Sequence, residues 1–198
     1  MRSKAVLFAL ALGLVVAPVQ GAFAFGIGSG LGSVKRLVEP KFISDRGATL
    51  APMGHVVFCS RNPEECRVRG VAVVKLTEAR SNELRRVNAQ INRQIRAVND
   101  KGDGLGDTWS IAVTKGDCED FALTKRRELI RLGWPSRALR IAVARTPWGE
   151  GHAVLVVRTS DGDLVLDNRT SRIVPWHKTD LTWLKIQSQA NARQWRAI

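Results

Sequence analysis

Cysteine is scarce in this chain. Its 198 residues include three, Cys59, Cys66 and Cys118, with no CxxC pair among them. That spacing excludes the common zinc sites and argues against a metal held by all three thiols. Acidic residues are also few, 18 against 31 Lys and Arg, so the formal charge is +13. Yet there is no Lys/Arg block, no zinc-finger spacing and no aromatic RNA-binding motif. Nucleic acid is therefore not an expected partner. The positive excess points either to another anionic neighbour (an acidic protein, a membrane surface, a polysaccharide) or to a basic, solvated surface. The apolar run at residues 5–17 is too short and too early for a membrane span. What remains is an ordinary globular composition, 44% hydrophobic and 25% charged, enough for one domain with a real core.

The short apolar run has a different meaning. Arg2 and Lys4 precede it, and Ala22-Phe23-Ala24 follows with the small-x-small pattern of a cleavage site. This reads as a secretion signal cut after Ala24, leaving a periplasmic chain that does not span the membrane. Removing Arg2 and Lys4 lowers the charge by two. The next stretch, residues 25–33, is glycine-rich and expected to be loose. Export makes disulfides possible. Cys59 and Cys66 flank the turn signal Asn62-Pro63-Glu64 and are expected to pair as a local staple. Cys118 is then the odd thiol.

Cys118 sits in the stretch around which the chain is organised. GDCED at 116–120 opens an apolar, helix-patterned run over residues 121–132. Gly116 allows a sharp turn and Asp117 is a good N-cap. Cys118 then falls in the first turn, where unpaired amides and the helix dipole favour a thiolate. Phe121, Ala122, Leu129 and Leu132 are expected to face inward with basic residues between them, and Gly133-Trp134-Pro135 stops the helix.

Residues 77–99 read as an amphipathic helix capped by Thr77, with Leu84, Val87, Ile91, Ile95 and Val98 on one stripe and Arg85, Arg86, Arg93 and Arg96 opposite. The Asp/Gly-rich stretch 100–107 lacks EF-hand spacing and reads as a plain loop. Trp109 either walls a site, as a substrate-binding residue, or fills core. Beyond the Cys118 helix, residues 138–144 and 153–158 read as strands. Residues 160–163 form a hairpin turn, and 164–166 a third strand. His152 opens the second strand and Asp167 follows the third. Antiparallel neighbours reverse direction, so the two lie at one sheet edge. With Cys118 packed there, Cys118, His152 and Asp167 would form a nucleophile, base and orienter, and the Cys118 N–H an oxyanion donor. His55 and His177 are expected to be structural or surface residues. In the last segment, residues 181–187 read as a strand and 194–198 as an edge strand. Trp176, Trp183 and Trp195 would cover one side of the sheet.

GDCEDFA at 116–122, RLGWP at 131–135, GHAVL at 151–155 and LVLDN at 164–168 resemble the bacterial transglutaminase-like cysteine proteinases. The resemblance runs from about Phe58 onward. It implies an α+β, papain/transglutaminase-like core, an antiparallel sheet with packed helices and the nucleophile at a helix N-terminus. The chain would divide into a leader (1–24), an N-terminal extension (25–57) and a cysteine peptidase domain (58–198). The resemblance also implies calcium, a hard ion suited to oxygen ligands, held by Asp117, Glu119 and Asp120. The other reading of these acids is as a cap and dipole complement of the helix. Partners implied are a protein substrate, in some members a surface adhesin, and an inner-membrane regulatory receptor. Phe121 replaces the commoner tyrosine. Two rival functions stay open: acyl transfer of the amidase or transglutaminase type, and a non-catalytic binding module.

Overall fold

A computed structural model of the chain describes residues 39–98 and 108–198. The expected leader, the glycine-rich stretch after it and the Asp/Gly loop lie outside the described residues. In order the elements are β1 (Gly47–Thr49), α1 (Met53–Arg61), α2 (Glu78–Gln94), β2 (Arg96–Ala97), β3 (Lys115–Gly116), α3 (Cys118–Arg131), β4 (Leu139–Arg145), β5 (Gly151–Thr159), β6 (Gly162–Leu166), β7 (Val174–Pro175), β8 (Thr182–Gln187) and β9 (Trp195–Ala197). Among the described residues, seven strands make one antiparallel sheet in the order β1-β9-β8-β4-β5-β6-β7. The α+β class is as expected. The sheet includes residues upstream of Phe58, since Gly47 to Thr49 pair with Ala197 to Trp195.

Strand β4 shows why the middle of the sheet is covered on both faces. Leu139 and Ile141 join the larger core with Leu84, Ile91, Phe121 and Leu129. Ala142 and Ala144 join a smaller cluster with Val154, Val156 and Ile186. Helices α2 and α3 cover the first face. Burying one leucine fully is worth about 1.5–3 kcal/mol, so this layer carries much of the stability.

Several local expectations change. Helix α2 keeps its Thr77 cap, whose Oγ1 accepts the Arg80 N–H at 3.2 Å, but it stops at Gln94. Ile95 turns extended, and residues 96–97 pair with 115–116 instead of continuing the helix. This brings Val98 to the cleft rather than leaving it on the helical stripe. Strand β9 is internal, not an edge, because β1 covers its far side. The three late tryptophans divide between the faces: Trp195 is in the larger core, while Trp176 and Trp183 pack with the smaller cluster. The basic residues of α3 are not all solvated, since Lys125 and Arg126 are buried. Arg126 donates to Leu139 O at 3.2 Å and Glu65 O. Asp163 belongs to β6 and not to the turn. It is fully buried and accepts from Ile43 N–H, Arg158 and Arg140.

The expected disulfide is present. Cys59 and Cys66 are bonded, with Cα atoms 5.7 Å apart, between α1 and the 3-10 turn Pro63–Cys66. His55 lies beside them in the core, where Trp195 Nε1–H donates to Nδ1 at 3.2 Å and Gln187 approaches Nε2 at 2.8 Å. It is structural, as expected. Burial, with the Arg126 and Arg193 charges, pushes its pKa down to about 4.

Candidate active site

The α3 N-terminus, the start of β5 and the end of β6 meet at one cleft of about 560 Å³. Its lining includes Asp117, Cys118, Glu119, His152, Ala153 and Arg169. The approach to α3 is tight. A Cβ on Gly116 would run into the Asp120 carboxylate, so glycine is needed for close approach and not for an unusual turn. Asp117 occupies the N-cap position but makes no side-chain cap bond, and its side chain faces the cleft instead. Helix α3 ends as expected. Gly133 adopts φ +81°, and the N–H groups of Gly133 and Trp134 donate to Ile130 O and Leu129 O at 2.9 and 3.0 Å.

The hairpin delivers its two residues to the same place. His152 Nε2 and Asp167 Oδ1 are 2.9 Å apart, both buried. The hairpin explains this: the β5–β6 ladder runs to Leu155 opposite Leu166, so the start of β5 and the residue after β6 lie at one end of the sheet. Cys118 joins them through the next residue along β5. The Ala153 N–H donates to Cys118 Sγ at 3.2 Å, which holds the sulfur against the residue after His152. Sγ also donates to Glu119 Oε2 at 3.2 Å. The Glu119 carboxylate beside it favours the thiol over the thiolate. Burial pushes its pKa up, the Glu119 charge adds to this, the Ala153 amide pulls the other way, and Asp117 raises it further.

Asp167 is held in the opposite state. Burial favours its neutral form, but the His152 hydrogen bond and charge, then the Arg169 N–H and guanidinium, outweigh it and bring the pKa down to about 2. The carboxylate is thus a permanent anion opposite His152. Arg169 is the residue that sequence reading missed. Its backbone N–H donates to Asp167 Oδ1 at 2.9 Å, its Nε to Oδ2 at 3.0 Å, and its Nη2 to Asp180 Oδ1 at 2.6 Å. An aspartate bonding the N–H two residues on is an Asx-turn, and Asp167-Asn168-Arg169 after a strand is its sequence signal. Asn92 reaches the same loop from α2, donating to Asp167 O and Thr170 O at 3.0 Å.

Trp109 has a place in both the core and the cleft wall. It packs edge-on against His55 and Trp195 in the core and also lines the cleft. Of the three acids assigned to calcium, Asp117 and Glu119 line the cleft beside the thiol, Glu119 itself being buried. Asp120 is buried and accepts the Ser110 N–H at 2.7 Å. Among the described residues, the only His/Cys/Asp/Glu group with three donor atoms within 4.8 Å is His55, Cys59 and Cys66. Its two sulfurs are consumed by the disulfide.

The sequence over residues 45–198 matches the family model of the bacterial transglutaminase-like cysteine proteinases. The chain belongs to this family. Three solved structures of LapG from Legionella pneumophila are similar to this chain. The calcium-bound form is 30% identical, covering 57% of this chain and 66% of that one, with a TM-score of 0.49. Another is 29% identical over 54% and 64% (TM-score 0.46), and an EGTA-treated form is 28% identical over 57% and 64% (TM-score 0.47). The match thus spans just under two thirds of each LapG chain. No curated protein matches the sequence. Within the proteinase family the cleft described above is the candidate active site, and no helix among the described residues is long and apolar enough to cross a membrane.

Proposed function

We propose that this proteinase-family chain is a cysteine endopeptidase that hydrolyses a protein substrate through Cys118, His152 and Asp167. One observation carries the reading: a free thiol at a helix start bonds the amide next to a buried His–Asp pair, in an open cleft. His152 takes the thiol proton while Asp167 fixes the ring and stabilises the imidazolium. The thiolate attacks the scissile carbonyl carbon, and the Cys118 N–H at the first helical position is aimed at the oxyanion. Collapse breaks the C–N bond, His152 returns its proton to the leaving amine, and the acyl group stays on sulfur. A water then loses a proton to His152, attacks the thioester and frees the acid and the thiol.

The carboxylates beside the thiol suit a hard cation. Asp117 and Glu119 would hold calcium, with Asp120 bracing the helix start through Ser110. With calcium held there, carboxylate charge beside the sulfur is neutralised. The disulfide and the leader pattern support a periplasmic site of action. The motif resemblance supports a surface adhesin as substrate and a membrane receptor as regulator.

The test is iodoacetamide labelling of the purified chain across pH, in calcium and in EGTA, read at Cys118 by mass spectrometry. Labelling well below pH 8, lost in Cys118→Ser, slowed in His152→Ala and suppressed in EGTA, is expected. Ordinary thiol behaviour indifferent to His152 would remove the enzyme reading. Product masses then separate hydrolysis, which yields two fragments, from acyl transfer, which joins them.

A further inference from the structure

A second cavity, of about 400 Å³, adjoins the first and shares Trp148 and Arg169 with it. Trp148 is 76% exposed, an unusual state for a large aromatic side chain. The chain does not leave it there loosely. Thr146 N–H donates to Glu150 O and Gly149 N–H to Thr146 O, each at 2.9 Å, and Arg145 donates to Gly149 O at 2.9 Å. Gly149 takes φ +83°, where glycine is favoured. A braced turn therefore holds an indole as a divider between two cavities.

The two cavities differ in charge. On the Cys118 side the lining carries Asp117, Glu119 and Glu150 together with His152 and Arg169. On the far side, Arg169, Arg172 and Lys178 stand against Asp167 and Asp180. Both of those carboxylates are already bound by Arg169. Arg172 makes no ion pair among the described residues, and Lys178 has only a 3.7 Å approach to Glu39, an oxygen that His177 holds at 2.8 Å. Two cations in the far cavity thus lack a strong counter-charge, beside an apolar wall of Trp148 and Val174.

We infer that this second cavity is a substrate subsite for an Asp or Glu side chain, reached by a peptide that crosses Trp148 from the Cys118 cleft. The inference rests on the endopeptidase reading. The backbone would lie over the indole, and the acidic side chain would meet Arg172 and Lys178.

The test digests a peptide library, prepared from a bacterial lysate by Lys-directed proteolysis, with the full chain. The cleaved ends are then sequenced by mass spectrometry. Asp or Glu enriched at one fixed position from the cleaved bond is expected. In the double variant Arg172→Glu, Lys178→Glu that preference should turn to Lys or Arg, with Cys118 labelling unchanged. Cleavage without acidic preference, or a preference surviving charge reversal, overturns the inference. If no peptide is cleaved, the endopeptidase reading fails separately and binding decides the subsite. Rhodamine-labelled Ala-rich octapeptides with a single Glu should bind Cys118→Ala about three- to tenfold tighter than their Gln counterparts, an advantage lost in the double variant. Equal binding overturns it.

Discussion

The two ends of strand β6 carry the same chemistry put to different uses. At one end Asp163 is 0% exposed and held by Arg158 at 2.7 Å, Arg140 at 3.3 Å and the Ile43 N–H at 2.8 Å. At the other, Asp167 is held by Arg169 and faces His152. Every partner named for Asp163 is backbone or a permanent cation, and Asp163 lines neither of the two cavities above. Asp167 has one partner that can change its charge, and that partner opens on a cleft with a thiol. A buried carboxylate is structural when its contacts are closed among permanent cations and backbone. It becomes mechanistic when one contact is a titratable ring facing a reactant.

The sharpest way to break this comparison is to neutralise each aspartate in turn. Asp167→Asn should lower kcat/KM by about 10²–10⁴-fold, by analogy with triad orienters, while the protein still folds. Asp163→Asn should leave the activity per folded molecule near wild type but cost about 3–5 kcal/mol of stability, because a buried guanidinium (Arg140) and a part-buried one (Arg158) lose a fully buried counter-ion. Peptidase assays and denaturant melts on both variants decide it, and similar losses in both would erase the distinction. Next in size is Arg169→Leu. Losing a charge-assisted bond of about 1.5 kcal/mol to Asp167 corresponds to roughly tenfold in kcat/KM.

A pH series sharpens the same contrast. The Asp167 carboxyl is lowered from 3.8 to about 2, so its contribution to stability is present above 3.8 and is lost as the pH falls through about 2. The stability difference between wild type and Asp167→Asn should therefore shrink over that window in acid melts. A last effect is expected at Lys125, fully buried in α3, with its Nζ making no hydrogen bond among the described residues and 5.9 Å from the centre of the Phe121 ring. Burial lowers its pKa to about 7, partly countered by Asp167. A lowered lysine destabilises the fold at low pH, and this cost fades as pH rises from about 7 to 10.5. Lys125→Met should accordingly be the more stable protein at pH 6, with its advantage narrowing by pH 10.

The geometry of the candidate site was legible in the sequence because its information is local. A helix start with Gly-Asp-Cys needs only neighbouring residues, and the His152–Asp167 meeting follows from one hairpin's reversal. What could not be read depends on partners distant in the chain. Nothing near residue 47 announces that it pairs with residue 197. Lys125 and Arg126 look like solvated residues until α2, β4 and the Glu65 turn close over them. Helix α2 keeps an apolar period past Gln94, and only a two-residue ladder with 115–116 ends it. Asp163 read as a turn residue because its two arginines lie elsewhere in the sheet.

Strand β9, lodged between β1 and β8, has a consequence for how the protein is made. Trp195 completes the packing around His55, which is supplied by α1. The earliest and latest strands of the sheet are therefore one another's neighbours. A ribosome that has passed residue 180 still holds a chain whose β1 has nothing to pair with and whose His55 pocket stands open. Closure across so long a loop is slow and late. The last closure of the sheet therefore waits until β9 has been made.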